Sequence, residues 1–175
     1  MKKKSLVLAV ACLGLLNHAA YAQRSAGSKM LGTAYEGWSG GMYQSHAYDH
    51  AVVLQNYAAA GEQVPQEVAR RHVEAVRSNL MAAKKSYANL ATAHKDDATA
   101  AKHLAAIDEH HTKALALCDK IDTESAKGDA AAKGVHECCS TAADHIKAAQ
   151  AEHDKLMKHL KVNKPTAGAK PAAIK

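Results

Sequence analysis

Phenylalanine is absent from this chain of 175 residues, and tryptophan occurs only once. A core without these large side chains is thin, whereas the abundant alanines have the highest intrinsic helix propensity. The composition therefore favours long helices that approach one another closely. It argues against an enzyme cleft that is lined by large side chains.

Motifs for common catalytic and cofactor sites are missing as well. No Glu-x-x-His pair occurs, so the di-iron pattern of helical bundles is absent, and Asp108-x-x-His111 is the nearest match. The sequence has no Cys-x-x-Cys-His motif for covalent haem. It has no nucleophile elbow, and the glycines at 37–41 do not fit a phosphate loop. These absences indicate a binding protein rather than an enzyme.

Residues 1–22 have the layout of a secretory signal peptide, with three lysines, a short apolar stretch and the exit Ala20-Tyr21-Ala22. We expect cleavage after Ala22 and a mature protein that is periplasmic or secreted. The apolar stretch is too short to span a bilayer well, and no later segment is apolar enough to do so. The formal charge of +6 includes the three lysines. The mature chain therefore carries about +3, which is too little for a nucleic-acid-binding surface.

The rest of the sequence predicts an all-α fold, an up-down antiparallel four-helix bundle at residues 44–161. A flexible glycine-rich leader (23–43) precedes it and a disordered tail (162–175) follows it. In the second, third and fourth helices, apolar residues recur every 3.5 positions on average, as in a coiled-coil seam. Pro65, Asp96 or Asp97, and Gly128 with Asp129 mark the turns. The predicted helices cover about residues 44–60, 65–94, 98–127 and 130–161.

Histidine and cysteine avoid the outer faces of these predicted helices. Eleven of the 12 histidines and three of the four cysteines follow residue 22, and all of them fall on inward or flanking positions of the heptad. The outer positions hold lysines and acids instead. Solvated histidines would scatter around the helices, so this bias predicts ligands for a metal ion.

The histidines and cysteines fall into three layers when positions are counted from each turn at a rise of about 1.5 Å per residue. From the first layer we predict a soft site, and from the second layer a site with more imidazole. The third layer holds His103 and His153, with His94 and His159 beyond. The soft site comprises His72, Cys118, Cys138 and Cys139, with His136 near it; the second site comprises His46, His50, Met81, His111 and His145, with His110 near it.

Thiolate, thioether and imidazole together suit copper or zinc, and they suit calcium or magnesium poorly. The thioether of Met81 favours copper as the first choice, with zinc second. We therefore expect a protein that binds such an ion for storage, buffering or transfer, with a metal-handling or oligomeric partner that the sequence does not identify.

Two alternatives remain open at this point. The cysteines are equally compatible with a disulfide from Cys118 to Cys138 or Cys139, which is common in exported proteins, although an odd thiol is left over. The histidines are also compatible with half-exposed rings that bond to water or acids. The chain would then be a helical scaffold or adaptor without a metal.

In plan, the predicted protein resembles the exported four-helix bundles that store or carry copper. Those bundles line their cores with many cysteines, whereas this chain has three after residue 22 and places histidines at most of the remaining positions. The resemblance implies a copper-handling role, but it rests on architecture and carries no residue assignments.

Overall fold

The computed structural model describes the backbone of residues 4–61, 63–127 and 131–162. Within these ranges it describes side chains from Ser28 onward, except those of Lys29 and Ala131. The predicted cap Asp129 and residues 163–175 of the predicted tail lie outside the described residues.

The described chain is an all-α, up-down antiparallel four-helix bundle, as the sequence predicts. Each helix packs against two neighbours, α1 on α2, α2 on α3, α3 on α4 and α4 on α1. No helix in the described ranges is both long and apolar enough to cross a bilayer. The helices are α1 (Lys4–Ala60), α2 (Gln66–Ala93), α3 (Ala98–Ser125) and α4 (Ala131–His159).

Helix α1 begins far upstream of its predicted start at Gln44, which moves the boundary between leader and bundle. The hydroxyl of Thr33 lies 2.9 Å from Nε2 of His94, at the end of α2. A Cβ at Gly40 would come within 2.8 Å of the Tyr87 ring. A glycine costs a helix roughly 1 kcal/mol, but here it lets α1 approach α2 closely. Residues 33–43 are therefore part of the bundle.

The other helix ends lie within about two residues of their predicted positions because local signals set them. The carboxylate of Asp97 accepts a hydrogen bond from the backbone of Ala100 at 2.9 Å and caps α3. At the end of α4, Lys161 adopts a left-handed φ of 57°. The amide of Val162 donates to the carbonyl of Met157 at 2.9 Å, which completes a Schellman motif.

The core consists of two apolar clusters, one towards each end of the bundle. The first is built around Leu54, Leu80 and Ile146, together with many alanines. The second is built around Leu90, Ile107 and Leu156. The buried seam has the predicted 3.5-residue spacing. Between the two clusters lies a layer of the bundle in which buried polar side chains contact one another.

Candidate metal centre

Most of the histidines lie at the boundary between core and solvent rather than at the bundle centre. Of the eleven after residue 22, His111 and His153 are buried, and His46 and His159 are exposed. The other seven are half-buried. The predicted inward bias therefore becomes, in three dimensions, a bias towards the seams between neighbouring helices.

One pair of histidines faces across the seam between α1 and α2. Nδ1 of His50 lies 3.2 Å from Nδ1 of His72, and the ring centroids are 5.3 Å apart. Burial, followed by the charge of His50, lowers the pKa of His72. The shift favours the neutral form of His72, which is the form in which imidazole binds metals.

A second pair faces across the seam between α3 and α4. Nδ1 of His110 lies 3.3 Å from Nδ1 of His145, with ring centroids 5.6 Å apart. Burial lowers the pKa of His145, with further lowering by His110 and Lys113, while Asp144 and Glu109 oppose the shift. This pair therefore differs from the first in having carboxylates close enough to act on it.

Facing nitrogens at this distance restrict the protonation states of each pair. Two protonated rings would point N–H donors and positive charges at each other, which is unfavourable. One proton shared between Nδ1 atoms satisfies the pair, and so does a cation between them. The nitrogens of two imidazoles bound to tetrahedral zinc, at 2.0–2.1 Å from the metal, lie about 3.3 Å apart. Both observed Nδ1–Nδ1 separations match this nitrogen–nitrogen distance.

The structure distributes the predicted ligands differently from the expected layers. His72 contacts His50 rather than the cysteines, and His145 contacts His110 rather than His111. Met81 is 59% exposed on α2, and His46 is also exposed. In the part of the chain that is described, no three His, Cys, Asp or Glu side chains converge on a metal position.

The three described cysteines are free thiols, so the alternative disulfide is not formed in this structure. Burial raises the pKa of Cys118 to about 11 and that of Cys139 to about 12. Burial also raises the pKa of Cys138. Since the thiolate is the form that binds metal, these cysteines are protonated at neutral pH and do not form a ready-made soft site.

Four buried polar residues, one from each helix, form a connected group that we call the polar core array (Gln44, Tyr87, His111 and His153). Nε2 of Gln44 lies 2.8 Å from Nε2 of His111. The Tyr87 ring lies 5.8 Å from the His111 ring, and its hydroxyl lies 2.9 Å from Nδ1 of His153. Burial lowers the pKa of His111 to about 4. His111 is therefore a neutral core residue hydrogen-bonded to protein.

The sequence did not single out Gln44, because a glutamine on the inward face of a helix has no signature of its own. Its amide nitrogen only donates, so Nε2 of His111 accepts and Nδ1 of that ring carries the proton. Within the described residues, Oε1 of Gln44 and Nδ1 of His111 have no hydrogen-bond partner.

Other histidines of the third layer have ordinary partners. Nδ1 of His103 lies 2.7 Å from the carboxylate of Glu152, and Nε2 of His159 lies 2.8 Å from that of Asp97. These contacts join α3 to α4 and the turn after α2 to the end of α4. They account for both histidines without a metal.

Comparison with known proteins adds no information about function to this geometry. No protein-family model, curated protein or solved structure matches the chain.

Proposed function

We propose that this chain is an exported, non-catalytic helical bundle that binds one transition-metal ion at each of its two interhelical histidine pairs. The observation that carries the proposal is the repeated spacing of 3.2 and 3.3 Å between facing Nδ1 atoms. Each pair joins two consecutive antiparallel helices, so the same arrangement occurs once in each half of the bundle.

Zinc fits the pairs better than copper does. Imidazole suits both metals, but the observed spacing matches the nitrogen–nitrogen distance in a tetrahedral zinc complex. A linear copper(I) site places the two nitrogens on opposite sides of the ion and therefore farther apart. The features that favoured copper contribute less than the sequence implied, since the Met81 side chain is largely exposed and burial holds the cysteines as thiols. Zinc is therefore the first candidate and copper the second.

A site with two protein ligands suits buffering or transfer of an ion. Structural zinc sites use four protein ligands and leave no position open. Two imidazoles leave positions for water or for a ligand from a partner, so the ion exchanges readily. Glu109, whose charge raises the pKa of His145, adds to the attraction of a cation to the pair between α3 and α4.

Export is part of the proposal because of the signal-like residues 1–22. A periplasmic or secreted protein meets metal ions outside the cytoplasm, where a buffering or transfer role is chemically reasonable. Determining the N-terminal residue of the protein made by an expressing bacterium tests this step. A chain that starts at Gln23 supports export, and a full-length cytoplasmic chain contradicts it.

Metal titration of the purified protein, prepared without an affinity tag, tests the main claim. We expect two zinc ions per chain by isothermal titration calorimetry, and one ion in each of the variants His50→Gln and His145→Gln. His159→Gln is the matched control because His159 is exposed and bonded to Asp97, so two ions are retained. Fewer than one ion bound to the native chain, or equal losses in all three variants, would overturn the proposal.

A metal-free helical scaffold is the second candidate. It is favoured by His103 and His159, whose carboxylate contacts explain them without a ligand. Nuclear magnetic resonance titration of the histidine rings distinguishes the two. Rings of His50, His72, His110 and His145 that respond to sub-stoichiometric zinc support the metal proposal, whereas rings that respond only to pH support the scaffold.

A further inference from the structure

Helix α1 has a second apolar face directly opposite the face that it buries. Its buried seam runs through Gly40, Gln44, Ala47 and Ala51. At 100° per residue, the side chains on the opposite side form what we call the outer stripe. These side chains are between 42% and 74% exposed, and they form two groups separated by the exposed His46 and Asp49. The groups are Leu31, Tyr35, Trp38 and Met42, and Val53 and Tyr57.

Charge is nearly absent from this helix. From Met30 to Ala60 there is no lysine or arginine, and the acids are Glu36 and Asp49. The carboxylate of Glu36 is bonded to Asn89 of α2 at 2.9 Å. The outer faces of the other helices carry ion pairs, such as Arg70 with Glu74 on α2 and Lys113 with Glu109 on α3. Among the described side chains of α1 from Met30 to Ala60, therefore, only two are acidic and none is lysine or arginine, unlike the outer faces of α2 and α3.

Such a face has the composition of a protein interface. Interface centres are enriched in Tyr, Trp and Met and depleted in lysine and acids. The face also has the four-three spacing of residues that contact a partner helix in a coiled coil. These residues are Leu31, Tyr35, Trp38 and Met42.

The area is sufficient for a stable contact. At about 200 Å² for a fully exposed side chain of this size and the exposed fractions above, the outer stripe offers about 650 Å² to a partner. Two such surfaces bury about 1,300 Å², which exceeds the roughly 1,000 Å² expected of a specific interface.

We infer that the outer stripe is the interface of a two-fold symmetric dimer, in which α1 packs antiparallel against α1 of a second copy. A stripe of this kind needs no complementary charge, and a two-fold axis pairs one surface with itself. A parallel arrangement would set Asp49 against its own copy. An antiparallel arrangement about the level of Gln44 places Leu31 beside Tyr57 of the second copy, and Tyr35 beside its Val53.

Sedimentation velocity of the purified protein, with its N-terminus defined by mass, tests the inference. We expect a mass twice that of one chain at about 50 µM. Met42→Lys should give a monomer with unchanged helical circular dichroism, because it buries a lysine at the interface. Met81→Lys is the matched control: it changes another exposed methionine, which is 59% exposed on α2 against 49% for Met42, and should leave the dimer intact.

A charge exchange tests the antiparallel arrangement. Tyr35→Lys and Val53→Glu should each give a monomer, and the double variant should recover the dimer because each lysine then faces a glutamate of the other copy. A native monomer, or a dimer that survives Met42→Lys, would overturn the inference. A native monomer that binds phosphatidylcholine vesicles, and loses that binding with Met42→Lys, would also overturn it and assign the stripe to a lipid surface.

Discussion

Two of the settings in which histidine occurs in this bundle differ sharply, the buried polar core array and the pairs at the helix seams. In the array, His111 is buried and hydrogen-bonded to an uncharged amide. At the seams, His50 faces His72 and His110 faces His145, half-exposed, with nitrogen towards nitrogen. The comparison shows that the partner and the access to solvent decide whether an imidazole is structural or available to a ligand.

The largest expected difference between the two settings is in stability. We expect His111→Ala to destabilise the fold by about 3 kcal/mol, because it opens a cavity and leaves the amide of Gln44 buried without its partner. His145→Ala at the seam should cost less than about 1 kcal/mol, because water reaches the site. Urea unfolding measures both. Equal losses of unfolding free energy in the two variants would show that His111 stabilises the fold no more than a histidine at the seam does.

The next largest effect should be a loss of stability in acid, which we attribute to the buried His111. Its pKa of about 4 in the folded chain lies below the value of about 6.5 expected when unfolded. The unfolded chain therefore binds the proton first, and stability falls as the pH drops from about 6.5 to 4, by on the order of 3 kcal/mol. Subtracting the unfolding profile of His111→Gln isolates this contribution, since the other histidines remain. A difference curve that is flat over this window contradicts the assignment.

A smaller effect should come from a residue that supports the array without belonging to it. In Gly40→Ala, the new Cβ meets the buried Tyr87 ring at 2.8 Å. We expect a net loss of about 1 kcal/mol, because overpacking outweighs the gain in helix propensity. Gly32→Ala, where nothing lies within 4 Å of the new Cβ, should instead stabilise by up to about 1 kcal/mol. Thermal unfolding of both variants checks the signs.

The smallest expected effect separates the two seam pairs from each other. The charge of Glu109 raises the pKa of His145. Glu109→Gln should weaken zinc binding at the pair between α3 and α4 about threefold, because an exposed charge contributes little. The same change should leave the pair between α1 and α2 unaffected. Zinc titrations in the His50→Gln and His145→Gln backgrounds report each pair alone. A loss that persists in 1 M salt would argue against a Coulomb effect.

The fold was largely predictable from local signals. Alternating three- and four-residue steps of small and aliphatic side chains placed α2, α3 and α4. Asp96 or Asp97 was predicted to cap α3, and the structure shows that Asp97 does so. The start of α1 was missed because glycines at 37–41 disfavour a helix when considered locally. In the bundle, Gly40 lies against Tyr87 and Gly41 against His153, so close packing between helices compensates for their low propensity.

For the candidate site, the sequence predicted the types of residue involved but not which of them contact each other. Counting residues from each turn estimates the height of a side chain along the bundle, but it does not give the rotation of one helix against the next. A rotation error of one position moved the expected contact of His145 from His111 to His110. It also left His72 on the seam with α1, facing His50 rather than the cysteines.

The sequence by itself determined four helices, their antiparallel order and the placement of most histidines and cysteines at inward or flanking positions, because these follow from periodicity and turn residues within each helix. Only the tertiary structure decided which imidazoles meet each other and which meet an amide or a carboxylate. Those contacts depend on distances of about 3 Å between separate helices, which arise from how all four pack around a thin, alanine-rich core.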